Sequence, residues 1–403
     1  MSTVINNIET SSLSTSVDKV FLRFLVGKWK ISEDESLHDN VLDAGVVKTQ
    51  EIDEDAEEDK NGREERTLLE VEKKGAKRKE LEQLNDEKRR ALLIRYFQQL
   101  LLKVVNKKLE DPEMLTLERL QLRESSTDLL KKLLTVEPRY STLSHLLSFN
   151  THIRERLLEL VGSELFMAEL GRSPRKVRDV KAAMGLIGLD ILRYLIPAIF
   201  FKNCIAPHRE HDDIFTKKLW RYELTLGQTC SALMLADNYR RPHEGMLLSA
   251  MVNFAYVASY QQYIVSFEGL RLACLAQARE KGNKYQHDFF YNMQNDPASL
   301  QALLLSKSTL ELSYQLAELV FGSSFPHLVN ALKEEVDDVA FDKRSKVGKI
   351  LFKSIRFSKY DQLRSARLFK ASWLSEYLKK SNIDRDTYRY LVRKELFRFK
   401  ATW

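Results

Sequence analysis

The chain has 403 residues with only 14 Gly and 8 Pro, while Leu, Lys, Glu, Arg and Ala abound. That balance excludes a strand-and-turn architecture and predicts an all-α protein, either one large domain with extensions or two domains. The formal net charge of +7 conceals a polarity, because residues 33–59 hold twelve acids against one lysine whereas residues 343–403 hold eighteen Lys or Arg against five acids.

No stretch alternates apolar and polar residues for long enough to form a sheet. Cys204, Cys230 and Cys274 are widely spaced, which argues against a disulfide framework or a metal spacing. Buried thiols in a reducing cytoplasm are expected. The N-terminal stretch MSTVINNIETSSLS has neither a basic start nor an apolar signal core. The longest apolar run, Leu186–Phe201, is broken by Asp190 and Arg193 and is too short to span a bilayer. These features lead to the expectation of a soluble cytoplasmic protein.

Residues 1–65 read as a largely disordered acidic region carrying one short amphipathic helix. Val17, Val20, Phe21, Phe24 and Leu25 fall at helical spacings, and the segment is expected to dock on the main body, with binding to a partner the alternative. Residues 32–65 are too poor in large apolar side chains to offset their ordering entropy and read as a linker. A long charged helix follows from about Arg66 to Leu109, inside a 66–115 segment, with Glu and Lys or Arg at i,i+4 spacings. Asp111–Pro112 ends it.

The main body, 116–335, runs helix after helix. Leu115–Leu134 leads to a break at Glu137–Pro138, and Ser141 is the expected N-cap of a helix reaching Phe166. A further helix starts near Val177. Gly185 and Gly188 lie three apart in it and are read as a face for close packing.

Several sequence features carry a family resemblance. Asn150–Thr151, Gly162–Ser163 and Phe166 stand in an early helix pair. Ala183, Ile187, Gly188 and Leu192 form an A…LG…L helix, and Leu219–Trp220 opens the next. Over roughly Leu120 to Glu335 this order is similar to the HDOD family, the bacterial HD-related output domain. That resemblance implies a helical domain descended from metal-dependent phosphohydrolases. It also implies where the metal-binding His-Asp pair should stand, and Asn253 and Phe254 occupy those positions. Tyr222 replaces the histidine that often follows the Trp, and Glu334–Glu335 replace a frequent His pair.

An HD-type hydrolase needs His and Asp side chains converging on metal, which then lowers the pKa of bound water. Asn is a poor divalent ligand and Phe is none, so no metal, no cofactor and no catalysis are expected. Tyr222, Asn253, Phe254 and Tyr256 are expected to line a vestigial pocket, with helix-core packing the commoner use of Tyr256, Tyr260 and Tyr263. The literal pair His211–Asp212, with His208, reads as a solvated loop. His145, His152, His243, His287 and His327 are given surface or capping roles.

Residues 336–403 read as a basic helical extension. Leu363, Ala366, Phe369, Trp373 and Tyr377 form a stripe that favours an amphipathic cap. Arg356, Lys359, Arg364, Arg367 and Lys370 form the expected basic interaction surface. A nucleic acid bound by that arm, or the acidic 33–59 segment folded back on it, are the alternatives. The leading expectation is a non-catalytic regulatory protein that binds a protein partner in a bacterial signalling pathway. The rival readings are a nucleic-acid-binding regulator using the basic C-terminal arm and a residual HD-type phosphohydrolase or nucleotide-binding domain.

Overall fold

Short turns and side-chain caps divide the chain into helices. The computed structural model describes residues 13–27, 70–135, 137–205, 214–305, 308–394, 396 and 399, with 70–83 and 308 described by backbone only. The expected linker at 32–65 and the His208–Asp212 stretch lie outside the described residues. Among the described residues no strand occurs, and the fold is all-α as composition predicts.

In order the helices are α1 (Leu13–Val26), α2 (Glu70–Leu109), α3 (Glu124–Leu133), α4 (Tyr140–Ser148), α5 (Thr151–Gly162) and α6 (Glu164–Glu169). Then come α7 (Val180–Ile187), α8 (Leu189–Ile205), α9 (Ile214–Ala236), α10 (Glu244–Glu280), α11 (Lys284–Tyr291) and α12 (Pro297–Leu304). The last are α13 (Ser308–Phe321), α14 (Pro326–Val336), α15 (Lys346–Ser365), α16 (Leu374–Lys380) and α17 (Arg385–Val392). Two compact units result. The first comprises residues 1–45, 107–264 and 296–403, and the second comprises 46–106 and 265–295.

Several sequence expectations are corrected by the turns. The helix expected over 115–134 is a π-helical stretch, Leu115–Arg119, followed by α3, with Gln121 at φ 53° between them. The helix expected from Ser141 to Phe166 is three helices, and α4 begins at Tyr140 without a side-chain cap. Ser163 instead caps α6, accepting from the Phe166 N–H.

The glycine pair is corrected too. Asp179 caps α7, and Gly188 ends it at φ 87°, a left-handed conformation that L side chains resist. The chain turns there by 113° into α8. A Cβ on Gly185 would meet nothing within 4 Å, so neither glycine serves close packing. No single helix among the described residues is long and apolar enough to cross a membrane.

In the first unit α9 is the central element, buried without a break from Lys218 to Met234. It packs against α15, α1, α8 and the first half of α10. Close approach comes from other glycines than those expected. A Cβ on Gly245 would lie 2.5 Å from the Ser231 nitrogen, and one on Gly227 would lie 2.6 Å from the Met246 sulfur.

α1 docks on this core as its spacing predicts, burying Val17, Phe21, Phe24 and Leu25. Two inward-facing lysines fix it. Lys218 donates from Nζ to the Phe24 and Gly27 carbonyls at 2.6 and 2.7 Å, at the negative end of α1. Lys359 donates to Asp18 Oδ1 at 2.7 Å. Burial pulls the Lys359 pKa down, but the Asp18 carboxylate outweighs it and holds the amine above the usual lysine range.

The segment expected as a basic extension contributes directly to this core. α15 packs on α9 and α14, and buries Leu351, Ile355, Phe357, Tyr360 and Leu363. The aromatic stripe expected from 363 to 377 lies on no single helix, because α15 stops at Ser365 and Arg367 turns the chain at φ 57°. Phe369 nonetheless gathers Tyr360, Trp373 and Tyr377 around it, with centroids 4.9, 5.9 and 5.5 Å away.

The second unit holds most of α2, the second half of α10, and α11. Phe97 of α2 meets Phe267 and Phe290 at 5.4 and 5.9 Å.

The glycine assignments predict opposite outcomes. Gly245→Ala, overpacked against Ser231, should lower unfolding stability by about 1–3 kcal/mol. Gly185→Ala, in open helix, should raise it by up to about 1 kcal/mol. Urea midpoints at unchanged m-value report both.

Candidate functional site

The residues aligned with the His-Asp pair sit where α9 crosses α10. Tyr222 and Glu223 belong to α9, and Ser249, Asn253 and Phe254 to α10. Glu223, Ser249, Asn253 and Phe254 are 0% exposed and Tyr222 is 1% exposed.

Glu223 is the residue that the sequence reading missed. Its carboxylate accepts from Asn253 Nδ2 at 2.7 Å and, through its other oxygen, from the Ser249 hydroxyl. Burial pushes its pKa up from 4.5 to about 8, against the partial relief of the Ser249 and Asn253 hydrogen bonds. A buried carboxyl is costly when charged, so below that value it is held as the neutral acid. Cys230 in the same core is pushed up to about 12, mainly by burial, and is a poor nucleophile.

Tyr222, Asn253, Phe254 and Tyr256, the expected pocket residues, sit among packed neighbours. Tyr222 packs on Phe21 with centroids 4.7 Å apart. Phe254 lies between Phe201 and Phe321, at 6.5 and 6.4 Å. Ser313 of α13 fastens the α10 backbone from outside, donating to the Val252 carbonyl at 2.7 Å and accepting from the Ala255 N–H. Tyr256 is half-buried. These contacts place Tyr222 and Phe254 in the packing between helices. A small cleft of about 80 Å³ does exist elsewhere, bordered by Arg123, Asn150, His152, Phe200, Asn203 and Cys204.

Tyr260 stacks on Phe215 at 4.4 Å, and Tyr263 donates to the Asp296 carbonyl at 3.1 Å. Both are packing residues, the commoner use expected of them. Of the histidines expected in surface or capping roles, His243 and His327 stand at helix starts and make interior contacts. His243 is buried, and burial first, then Arg193 and Arg241, lower its pKa to about 4. His327 lies 2.8 Å from Glu244, a fully buried carboxylate at the start of α10 that also pairs with Arg241 at 2.9 Å.

The expected basic surface divides in two. Arg356 and Lys359 point inward. Arg356 and the buried Arg344 both hold Glu335 and both lie over the Phe352 ring. Burial raises the Glu335 pKa, but Arg356 and Arg344 outweigh it and hold the carboxyl low. Its neighbour Glu334 accepts from the Ser345 N–H at the start of α15. Glu334 and Glu335 are thus ties between α14 and α15. Arg364, Arg367 and Lys370 remain exposed, with Arg364 paired to Asp361 and Lys370 5.1 Å from the Trp373 ring.

Among the described residues no group of three or more His, Cys, Asp or Glu is placed to hold a metal ion. Residues 121–284 match the family model described as the HDOD domain. The chain carries an HDOD domain. The match ends before α13 and α14, so the helix pair read as closing the family resemblance at Glu335 lies beyond it. No curated protein matches the chain. One solved structure is similar, described as "Putative phosphohydrolase from Shewanella amazonensis SB2B". The identity is 18% and the TM-score 0.43, with 74% of this chain and 94% of that one covered. Likeness of that degree carries no argument about activity.

The buried acid of the HDOD core predicts a pH dependence. Because the folded Glu223 pKa is raised from 4.5 to about 8, the folded state binds more protons in that window. Stability is fully present below the lower value and is lost as pH climbs through the upper one. His243, lowered from 6.5 to about 4, acts oppositely but only below 6.5. Between pH 6.5 and 8, therefore, unfolding free energy should fall by up to roughly 1.4 kcal/mol per pH unit. The fall should vanish in Glu223→Gln; an unchanged slope in that variant would place the titrating group elsewhere.

Proposed function

We propose that this HDOD protein is a regulatory, non-hydrolytic protein of the bacterial cytoplasm that acts by binding other proteins. One observation carries the reading. At the positions aligned with the family's His-Asp pair, Asn253 is committed to Glu223 at 2.7 Å, and Phe254 is clasped between Phe201 and Phe321. A catalytic metal needs several convergent donors, an open coordination position and water. Here the same place holds one neutral amide, one neutral acid and packed rings.

A core so filled has work to do as a frame. Its rigid helices hold surface side chains in fixed relation, and pre-arranged surfaces lose little freedom on association. Function on such a fold resides in its outer faces.

Two measurements on the full-length protein test the reading. Purified protein should carry no stoichiometric divalent metal and should not hydrolyse bis-p-nitrophenyl phosphate with added Mn²⁺. An affinity capture from the source cells should retain a defined protein partner after nuclease treatment. Metal-dependent turnover, lost in Glu223→Gln and in Asn253→Ala, would replace the scaffold by a phosphohydrolase.

A further inference from the structure

α2 presents a cationic surface that neither the HDOD domain nor the basic C-terminal segment explains. From Lys88 to Lys108 the sequence contains seven Lys or Arg and no acid. Within this stretch Phe97, Leu101 and Val105 are buried, at 1%, 1% and 0% exposure. At about 100° per residue, Lys88, Arg89, Leu92, Arg95, Tyr96 and Lys103 fall on the opposite side of the helix. All six are exposed, Leu92 at 68% and Tyr96 at 59%. The nearby acid Asp86 is engaged elsewhere, with Arg90 at 2.9 Å. None of Lys88, Arg89, Arg95 or Lys103 has an ion-pair partner among the described residues.

We infer that this face of α2 binds the phosphate backbone of a nucleic acid. Four unpaired cations spread over roughly 22 Å of helix axis form a track of positive charge, and an exposed aromatic stands among them. The composition decides between partners. Interfaces with proteins are depleted of Lys at their centre and built on apolar anchors, whereas those with nucleic acids are strongly positive and polar. A helix lying in a membrane surface needs a broad apolar face, and this one offers Leu92 and Tyr96 among four charges. The cations supply counterion release, and Tyr96 offers a ring on which an unpaired base can stack.

The test is fluorescence anisotropy of the full chain with two labelled probes of roughly 20 nucleotides, a single-stranded RNA and a duplex DNA, from about 50 to 200 mM salt. At least one probe should bind, with a log–log salt slope near −3 for the single strand or −4 for the duplex, as about four phosphate contacts require. Reversing the track (Lys88→Glu, Arg89→Glu, Arg95→Glu, Lys103→Glu) should weaken binding at least 100-fold. A milder pair, Lys88→Gln with Lys103→Gln, should halve the slope and serves if the reversed variant misfolds. Tyr96→Ala should weaken single-strand binding several-fold and leave the duplex unchanged if the single strand is the ligand. Reversal of Arg364, Arg367 and Lys370 to Glu should change nothing. The inference is overturned if neither probe binds at about 50 mM salt, if the α2 variants bind like the parent, or if only the C-terminal reversal abolishes binding. Binding to phosphatidylserine vesicles without binding to either probe would likewise overturn it, in favour of a lipid surface.

Discussion

Because Gly227 and Gly245 lack a Cβ, α9 and α10 approach closely enough for Ser249 and Asn253 to reach Glu223 across the crossing. That crossing is the constraint on which the HDOD core depends. It buries the Glu223 carboxyl fully, and the hydrogen bonds of Ser249 and Asn253 make it tolerable there. The cost of burying Glu223 falls most heavily on its ionised form, which ties the stability of this helix–helix joint to pH.

Around that joint, charge is used inward. Lys218 closes the end of α1, Lys359 holds Asp18, and Arg344 with Arg356 holds Glu335 against the Phe352 ring. The lysine ties join elements far apart in sequence, the Glu335 tie joins the consecutive helices α14 and α15, and loss of Arg344 and Arg356 would strand the buried Glu335 charge. Single pairs of this kind add little net stability over apolar substitutes, but they fix which helix meets which. The basic C-terminal segment is therefore partly structural. Its formal charge overstates what it shows to solvent, whereas every described Lys and Arg side chain of α2 is exposed.

The all-α class was legible because low Gly and Pro content and helical periodicity are local properties. The docking of α1 was legible for the same reason: Val17, Phe21, Phe24 and Leu25 mark one stripe. Helix ends were less so. Nothing in GLIGLD announces that Gly188 turns the chain while Gly185 continues the helix, since the difference is a backbone dihedral chosen by packing farther along the chain. Sequence spacing placed Asn253 and Phe254 on one helix but could not tell which neighbours surround them, because those come from α8, α9 and α13. Glu223 was overlooked although a signal existed. From Leu224 to Met234 every residue of α9 but Gln228 is apolar or small, which marks a helix buried all round, and the acid Glu223 stands at the head of this run.

Tyr222 packs on Phe21, and Phe254 on Phe201 and Phe321; the charged side chains outside that packing differ in what they hold. Cations among the described residues fall into two kinds. Those with carboxylate or carbonyl partners, such as Lys218 and Arg356, are already satisfied, and a ligand would have to displace an internal bond to engage them. Those on the outer face of α2 have only water to exchange. Replacing water and condensed counterions by phosphate releases ions to solution and sacrifices no internal contact. The free energy of association is therefore most accessible on α2, independently of how basic the C-terminal sequence looks.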